Sequence, residues 1–340
     1  MSKKVLLSGL KPTGAPHLGN YFGAIKQWVD LTNDYESYVF IADYHALNFI
    51  QNKEEMSKNI TNVLLDYLAI GLDPEKVTIF KQSDIREHTE LAWIFDTITT
   101  MPYLMRAHAY KDAEAKNKEI VVGTFNYPIL MAADILLYAP DVVPVGQDQQ
   151  QHVEIARDTA QKFNNTFGET FKLPEHMIMK DVAVVPGTDG RKMSKSYGNT
   201  IPLFAEYEDI KKCVMGITAG PGMTRDEAIE LSKMKGEAVI RDAIGPIRNL
   251  LNIHKLVKKQ DELEELIEFY LENQENYKKI KELLIEDLEK FIAPLRERRK
   301  EFEKDIPKAL AILKAGGEKA KKVAEAKMTE VREKIGVSVY

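Results

Sequence analysis

Residues Ser8 to Ile25 read SGLKPTGAPHLGNYFGAI. The stretch continues the apolar run begun at Val5, passes through Pro12, Gly14, Pro16 and Gly19, and then returns to apolar residues at helical spacing. An apolar run, a proline–glycine turn and an amphipathic segment mark a strand, a tight connection and a helix. Free backbone N–H groups where such a helix opens favour a bound anion. Gly14 and Gly19 permit close backbone approach, and His17 and Asn20, three residues apart, can point the same way. The plain alternative is an ordinary strand–turn–helix joint.

The same alternation recurs outward from this stretch. Strand-like runs appear at SYVFIAD (Ser37 to Asp43) and VTIFKQS (Val77 to Ser83), with helical periods between them. In Met56 to Gly71, residues Ile60, Val63, Leu64, Tyr67 and Leu68 share one face. PVGQDQQQHVEIARDTAQKF, from Pro144, reads as a further strand end, glycine turn and helix. Strands alternating with helices predict an α/β fold with a parallel, Rossmann-like sheet. Ligands bind such sheets at the carboxyl ends of their strands, which singles out Ser8, Lys11, Thr13, Asp43, His45, Gln82 and Gln149. From about Pro202 the strand-like runs vanish. The remainder reads as a helical domain punctuated at GITAGPG, IGP and APL (Ala293 to Leu295), ending in a short basic-leaning helix after a Gly316–Gly317 break.

Composition narrows the function. The chain has 340 residues, 47 basic against 52 acidic, and a formal net charge of -5. A protein coated in positive charge is excluded, but a local basic face is not, because electrostatic footprints depend on distribution. The runs RERRK (Arg296 to Lys300) and EKAKK (Glu318 to Lys322) are candidates for one. The one cysteine, Cys213, rules out an internal disulfide framework and an all-cysteine metal cluster. The amino-terminal apolar run is too short for a signal peptide, and no run approaches the ~20 apolar residues of a membrane span. A cytoplasmic location is expected.

A second element changes the weight of the first. GRKMSKSYGN, Gly190 to Asn199, places two lysines three residues apart in a glycine-flanked loop. Lysine is a flexible point charge suited to phosphates that move during a reaction. Either motif alone has a bland reading; the pair, in this order, is specific.

Together they resemble the two signatures of the class I aminoacyl-tRNA synthetases. His17-Leu18-Gly19-Asn20 is similar to the first, with asparagine where the class pattern ends in histidine, and Lys192 to Ser196 matches Lys-Met-Ser-Lys-Ser unchanged. Phe125 to Asn164, IADYHALN, GLDPEKVTIFKQSDIREH and IRNLLNIHKLV resemble the bacterial tryptophan-specific branch, so the likeness runs from Val5 to near the C-terminus. It implies ATP held by Lys11, Pro12, Thr13, His17, Gly19, Asn20, Gly146, Gln147, Asp148, Val184, Lys192, Met193, Ser194, Lys195 and Ser196. Lys192 and Lys195 are the catalytic pair in that scheme, and Asp148 the ribose ligand. Tryptophan is expected against Asp134, Tyr127, Met131, Val145, Gln149 and His45, with Asp134 accepting the indole N–H. An aspartate among Ala132, Ala133, Ile135 and Leu136 needs such a partner. Leu7 stands where many relatives carry phenylalanine.

The resemblance further implies a Rossmann-like catalytic domain at residues 1–201. A helical domain at 202–340 would read the tRNA anticodon, its last helix free to pack back on the catalytic domain. Mg²⁺ would accompany ATP, tRNA(Trp) would be the acceptor, and two subunits would form a homodimer. Some relatives hold a cysteine-bound iron–sulfur cluster, which lone Cys213 cannot build. Three alternatives stand beside this reading. One is a tyrosyl-tRNA synthetase, which shares the fold and both phosphate motifs. Another is a related adenylyltransferase that charges no tRNA, and the last a nucleotide- or RNA-binding paralogue without catalysis.

Overall fold

A computed structural model of the chain describes residues 3–107, 110–111, 114, 120–146, 150–178, 184–218, 222–234, 246–259, 262–274 and 276–339. Its contacts divide it into two compact units, each drawn from separate stretches. The first comprises Met1–Gly14, Asp30–Met179 and Asp305–Tyr340; the second comprises Ala15–Val29 and Lys180–Lys304. Compactness therefore does not follow the linear division at residue 201.

The first unit is built on five parallel strands: β1 (Lys4–Leu10), β2 (Tyr35–Ile41), β3 (Val77–Lys81), β4 (Val142–Val145) and β5 (Glu175–Ile178). They lie in the order β3-β2-β1-β4-β5. Register runs from Lys4 opposite Tyr35 to Leu10 opposite Ile41, and from Ser37 opposite Val77 to Ile41 opposite Lys81. Chain order reverses at β1, the position where open α/β sheets gather ligands beyond their carboxyl ends. Lys11, Asp43, Gln82 and Gly146 follow β1, β2, β3 and β4 at those ends. The Tyr67 hydroxyl helps to hold two of them together. It donates to the Phe40 carbonyl at 3.1 Å and accepts the Leu10 N–H at 3.0 Å. Tyr67 projects from the helix Lys53–Ala69, which buries Val63, Leu64 and Leu68 on the face expected from the spacing.

The carboxyl-terminal segment departs from expectation. No break occurs at Gly316–Gly317; one helix runs from Ile306 to Lys334 through both glycines. Ala320, Ala324, Met328 and Val331 of this helix belong to the apolar core of the first unit. The reason for Gly316 is contact, not flexibility. A Cβ there would lie 1.8 Å from the Ile79 carbonyl oxygen of β3, whereas one at Gly317 would meet nothing nearer than 3.4 Å. Alanine normally improves a helix interior over glycine by about 1 kcal/mol. Gly317→Ala should therefore be neutral or stabilising, while Gly316→Ala should destabilise by about 1–3 kcal/mol through overpacking. Thermal unfolding of the two variants checks this; equal shifts in Tm would contradict the close approach.

The second unit is helical, with Tyr207–Met215, Arg225–Lys233, Pro246–His254, Leu263–Glu272 and Tyr277–Glu303 as its longer elements. Thr224 and Glu227 form a capping box that starts the Arg225–Lys233 helix. The expected interruption at Ala293–Leu295 is absent: Pro294 lies inside the 27-residue helix Tyr277–Glu303. Proline there removes one backbone hydrogen bond, and the buried stripe of Ile280, Leu284, Leu288, Ile292 and Leu295 keeps the helix in place across it. His254 and Asp287 form a buried pair in this unit, with the Tyr270 hydroxyl 3.2 Å from His254 Nδ1.

Candidate functional site

In the first unit the helix Val122–Leu136 places Tyr127, Met131 and Asp134 four and three residues apart, on one face. Asp134 is 1% exposed, and among the described residues every hydrogen bond to its carboxylate comes from a side chain distant in sequence. Gln82 Nε2 donates to Oδ1 at 2.8 Å and lies 3.0 Å from Oδ2. His88 Nδ1 meets Oδ1 at 2.6 Å, and His45 Nε2 meets Oδ2 at 2.8 Å. Gln82 is itself oriented, because its Oε1 accepts the Tyr44 N–H at 3.1 Å. Burial by itself would raise the Asp134 carboxyl. The His88 and His45 imidazoles outweigh it and bring the pKa down to about 2. A dry carboxylate thus stays ionised, an acceptor of unusual strength for one N–H.

Tyr127 sets its ring edge-on to His45 at 6.1 Å, and its hydroxyl lies 2.7 Å from His152 Nε2. Met131 and Val145 are partly buried against the core, and Leu7 is a full member of it, opposite Tyr38 in register. In the turn after β1, Pro12 is buried and Lys11 and Thr13 are exposed. Lys11 Nζ lies 5.0 Å over the Phe49 ring, and Thr13 N–H donates to the Lys11 carbonyl at 2.8 Å. Gly14 has φ 99°, a conformation that excludes side chains in practice. Gly146 is half-buried just beyond β4. Gln147, Asp148 and Gln149 lie outside the described residues.

The second unit holds the rest of the first signature and all of the second, and brings them together. Leu18 N–H donates to the Ile201 carbonyl at 3.0 Å and Leu203 N–H to the Pro16 carbonyl at 3.0 Å, so His17 bridges Pro202 in antiparallel fashion. This fastens the start of the glycine-rich helix to the chain that leaves the lysine loop. Gly19 completes the junction: its N–H meets Met193 Sδ at 3.3 Å, and a Cβ there would crowd Met193 at 3.2 Å and His17 at 2.8 Å. Asn20 Oδ1 accepts the His17 N–H at 3.1 Å, which leaves its amide N–H groups as donors. A π-helical turn, Tyr21–Ile25, follows at once. His17 is buried, with Nδ1 making no hydrogen bond among the described residues. Its burial, then the nearby Lys195 charge, lower its pKa to about 4. Around neutrality it is a neutral imidazole.

Asn199, buried beneath the loop, organises it. Its Oδ1 accepts the Ser194 N–H at 2.8 Å, and its Nδ2 donates to Asp189 at 2.7 Å and to the Lys192 carbonyl at 3.2 Å. Asn249 anchors the same loop by donating to the Gly187 carbonyl at 2.9 Å. Arg191 is held by Asp189 and packs its guanidinium 4.3 Å over the Tyr197 ring. Met193 is the buried foot of the motif, whereas Lys192, Lys195 and Ser196 are exposed and Ser194 and Val184 half-buried. Ser194 and Ser196 share a hydrogen bond of 2.9 Å. Lys195 to Tyr197 make one 3₁₀ turn that ends at Gly198, φ 64°. The loop is therefore a backbone held from within that carries two exposed lysines.

Comparison with known proteins shows the family. The family profile of class I tRNA synthetases for tryptophan and tyrosine matches residues 2–293. The tryptophan–tRNA ligase of Fusobacterium nucleatum is 44% identical over 332 residues, covering 97% of each chain. The chain belongs to the class I tRNA synthetases, in the tryptophan–tRNA ligase family. The enzyme of that name from Rhodopirellula baltica is 43% identical over 98% of this chain and 99% of its own. Among solved structures, a Campylobacter jejuni tryptophanyl-tRNA synthetase complexed with ADP and tryptophan superposes with TM-score 0.87 at 40% identity. It covers 98% of this chain and 99% of that one.

Two features escaped the sequence. His88 and Tyr138 are buried partners in the Asp134 network, and nothing local to either marks it as such. The basic run RERRK also proves different in kind. Arg296 is buried and bound to the Ala205 carbonyl and to Glu206 and Glu289, while Lys300 pairs with Glu206 at 2.9 Å. These two cations fasten the second unit internally. In EKAKK, Lys319, Lys321 and Lys322 are exposed on the last helix.

Proposed function

We propose that the chain activates L-tryptophan with ATP and transfers it to tRNA(Trp). Family membership carries the reaction class, and the buried ionised Asp134 carries the choice of amino acid. Tryptophan presents a large apolar bicycle with one N–H donor, and a desolvated carboxylate beside Tyr127 and Met131 meets that chemistry. The substrate carboxylate attacks the α-phosphate of ATP in line. A carboxyl–phosphate bond forms as the bond to pyrophosphate breaks. Little covalent work falls to the protein, so positioning and charge stabilisation dominate. Lys192 and Lys195 neutralise the charge that collects on pyrophosphate, His17 and Asn20 donate to phosphate oxygens, and Gly19 leaves room for them. Mg²⁺ enters with ATP as part of the substrate, bridging phosphates with few protein ligands. Gly146, Gln147 and Asp148 bind the adenosine, Val184 packs near it, and Gln149 orients the amino-acid head group. The acyl group then passes to the 3′ end of tRNA.

The helices between residues 207 and 303 take anticodon recognition in this scheme. The last helix does not, since it packs on β3 within the first unit. A homodimer is supported by large apolar side chains left exposed on one short stretch, Trp93 at 71% and Met101 at 66%. No helix among the described residues is long and apolar enough to cross a membrane, consistent with work in the cytoplasm. Amino-acid-dependent exchange between pyrophosphate and ATP, run with all twenty amino acids, tests the assignment. Tryptophan alone should drive it efficiently; an equal response to tyrosine would transfer the chain to the tyrosine branch.

A further inference from the structure

The carboxylate of Asp134 has two unlike sides. On the Oδ2 side stands His45, edge-on to Tyr127, which shares a helix face with Met131. On the Oδ1 side stands His88, 0% exposed and held at both ring nitrogens: Nδ1 is 2.6 Å from Asp134 Oδ1, and Nε2 is 2.9 Å from the Tyr138 hydroxyl. Its ring is boxed by Phe40, Phe80 and Tyr138, with centroids 6.2, 6.4 and 5.7 Å away. Tyr138 in turn stacks on Tyr38 at 5.3 Å. His88 thus has neither solvent nor room to rotate.

The protonation pattern of this chain follows from its ends. Burial, with Asp134, Glu87 and Tyr38 close by, pushes the Tyr138 hydroxyl well above the usual tyrosine range, so it keeps its proton. At the other end the ionised Asp134 carboxylate can only accept, so its hydrogen bond takes a proton from His88 Nδ1 and leaves Nε2 to accept from Tyr138. The tautomer of a histidine is set by the hydrogen bond at its other nitrogen. His88 therefore carries its proton on Nδ1 and donates to Asp134.

We propose that His88, set by Tyr138, is a positioning residue for amino-acid selection: it fixes the Asp134 carboxylate from the side away from Tyr127 and Met131, so that Oδ2 is presented to the indole N–H. The proposal rests on the reading of Asp134 as the indole acceptor. His45 and the substrate then share Oδ2, whereas His88 never leaves Oδ1. Gln82 spans both oxygens and cannot by itself fix the rotation of the group. A carboxylate held on one oxygen only by Gln82 would turn within its cavity and present neither oxygen reliably.

The test compares tryptophan with 3-(1-benzothienyl)alanine, an isostere whose sulfur replaces the N–H, in pyrophosphate exchange. His88→Leu should lower kcat/KM for tryptophan roughly 10- to 100-fold, the scale of a lost hydrogen bond to a charged group. It should leave kcat/KM for the isostere within a few fold, so that the preference collapses. His88→Asn, whose amide N–H₂ stands near the Nδ1 position, should recover most of the preference, and it serves as the readout if the leucine variant does not fold. Nitrogen-15 spectra of the unmodified protein should show a proton on His88 Nδ1. Asp134→Asn separates the two layers of the argument. If it leaves the preference unchanged, the indole-acceptor reading falls and this proposal with it. If Asp134→Asn abolishes the preference while His88→Leu lowers both substrates equally, His88 is merely structural and this proposal alone fails. A proton on His88 Nε2 in place of Nδ1 would overturn it as well.

Discussion

Lys195→Ala should slow formation of tryptophanyl-adenylate by roughly 100- to 1000-fold, with a much smaller change in the apparent KM for ATP. Losing one preorganised contact to charge that develops in the transition state costs about 2.7–4 kcal/mol, and an interaction made mainly in the transition state appears in kcat. The loop geometry makes the substitution clean. Asn199 and Asn249 hold the backbone through Ser194, Lys192 and Gly187, and none of these bonds uses the Lys195 side chain. Arg191, a potential substitute cation, is occupied by Asp189 and Tyr197. The alanine variant should therefore keep its fold and lose its charge. A second readout accompanies the first. Lys195 is one of two causes lowering the His17 pKa, the lesser one after burial, so its removal should raise that pKa without restoring the usual value. Single-turnover activation and transfer of preformed adenylate to tRNA, measured separately, decide the matter. Pyrophosphate has left before transfer, so transfer should be nearly unaffected. An equal loss in both half-reactions, or a change confined to ATP affinity, would make the loop a binding clamp.

How much of this was legible in the sequence depends on the range of the forces involved. The first three strands and the glycine turn could be read because local rules fix them: apolar runs, a turn that needs glycine, helical spacing after it. Gly14 at φ 99° is the turn's requirement made visible. The lysine loop could be read because charge and glycine fall within ten residues. What failed was every inference in which a local signal was overruled from a distance. Gly316 and Gly317 look like a break, yet the helix continues because β3 lies against it and needs the missing Cβ. Pro294 looks like a stop, yet the apolar stripe on both sides holds the helix together. His88 carries no local sign of a site, because the residues that bury it, Asp134 and Tyr138, are 46 and 50 positions away. RERRK looks like a basic face, yet Glu206 and Glu289 hold its Arg296, and Glu206 its Lys300, within the second unit. Even the division into two compact units interleaves the chain, since the segment containing His17 compacts with the lysine loop and the final helix with the sheet.

Asp134→Ala carries the second large expected effect, and it acts on selectivity and stability together. A site built around one hydrogen bond rejects analogues that lack the partner because its own polar group is then left unpaired. Removing the carboxylate removes that rule. kcat/KM for tryptophan should fall by roughly 10- to 150-fold, the range for a charged hydrogen bond, while phenylalanine and tyrosine gain relative to it. The same change leaves His88, His45 and Gln82 without their common acceptor. Each buried donor left unsatisfied costs about 1–3 kcal/mol, so the variant should also melt earlier. The pH dependence has a definite sign. The folded pKa of Asp134 is depressed to about 2, below the usual unfolded value near 3.9. Its ionisation therefore adds stability that is fully present above about pH 4 and is lost as pH falls through about 2. Across that window the stability of the unmodified protein should decline more steeply than that of Asp134→Ala. Parallel acid-unfolding curves, or unchanged discrimination against phenylalanine and tyrosine, would mean that the carboxylate is not ionised in the folded protein or that the indole N–H is read elsewhere.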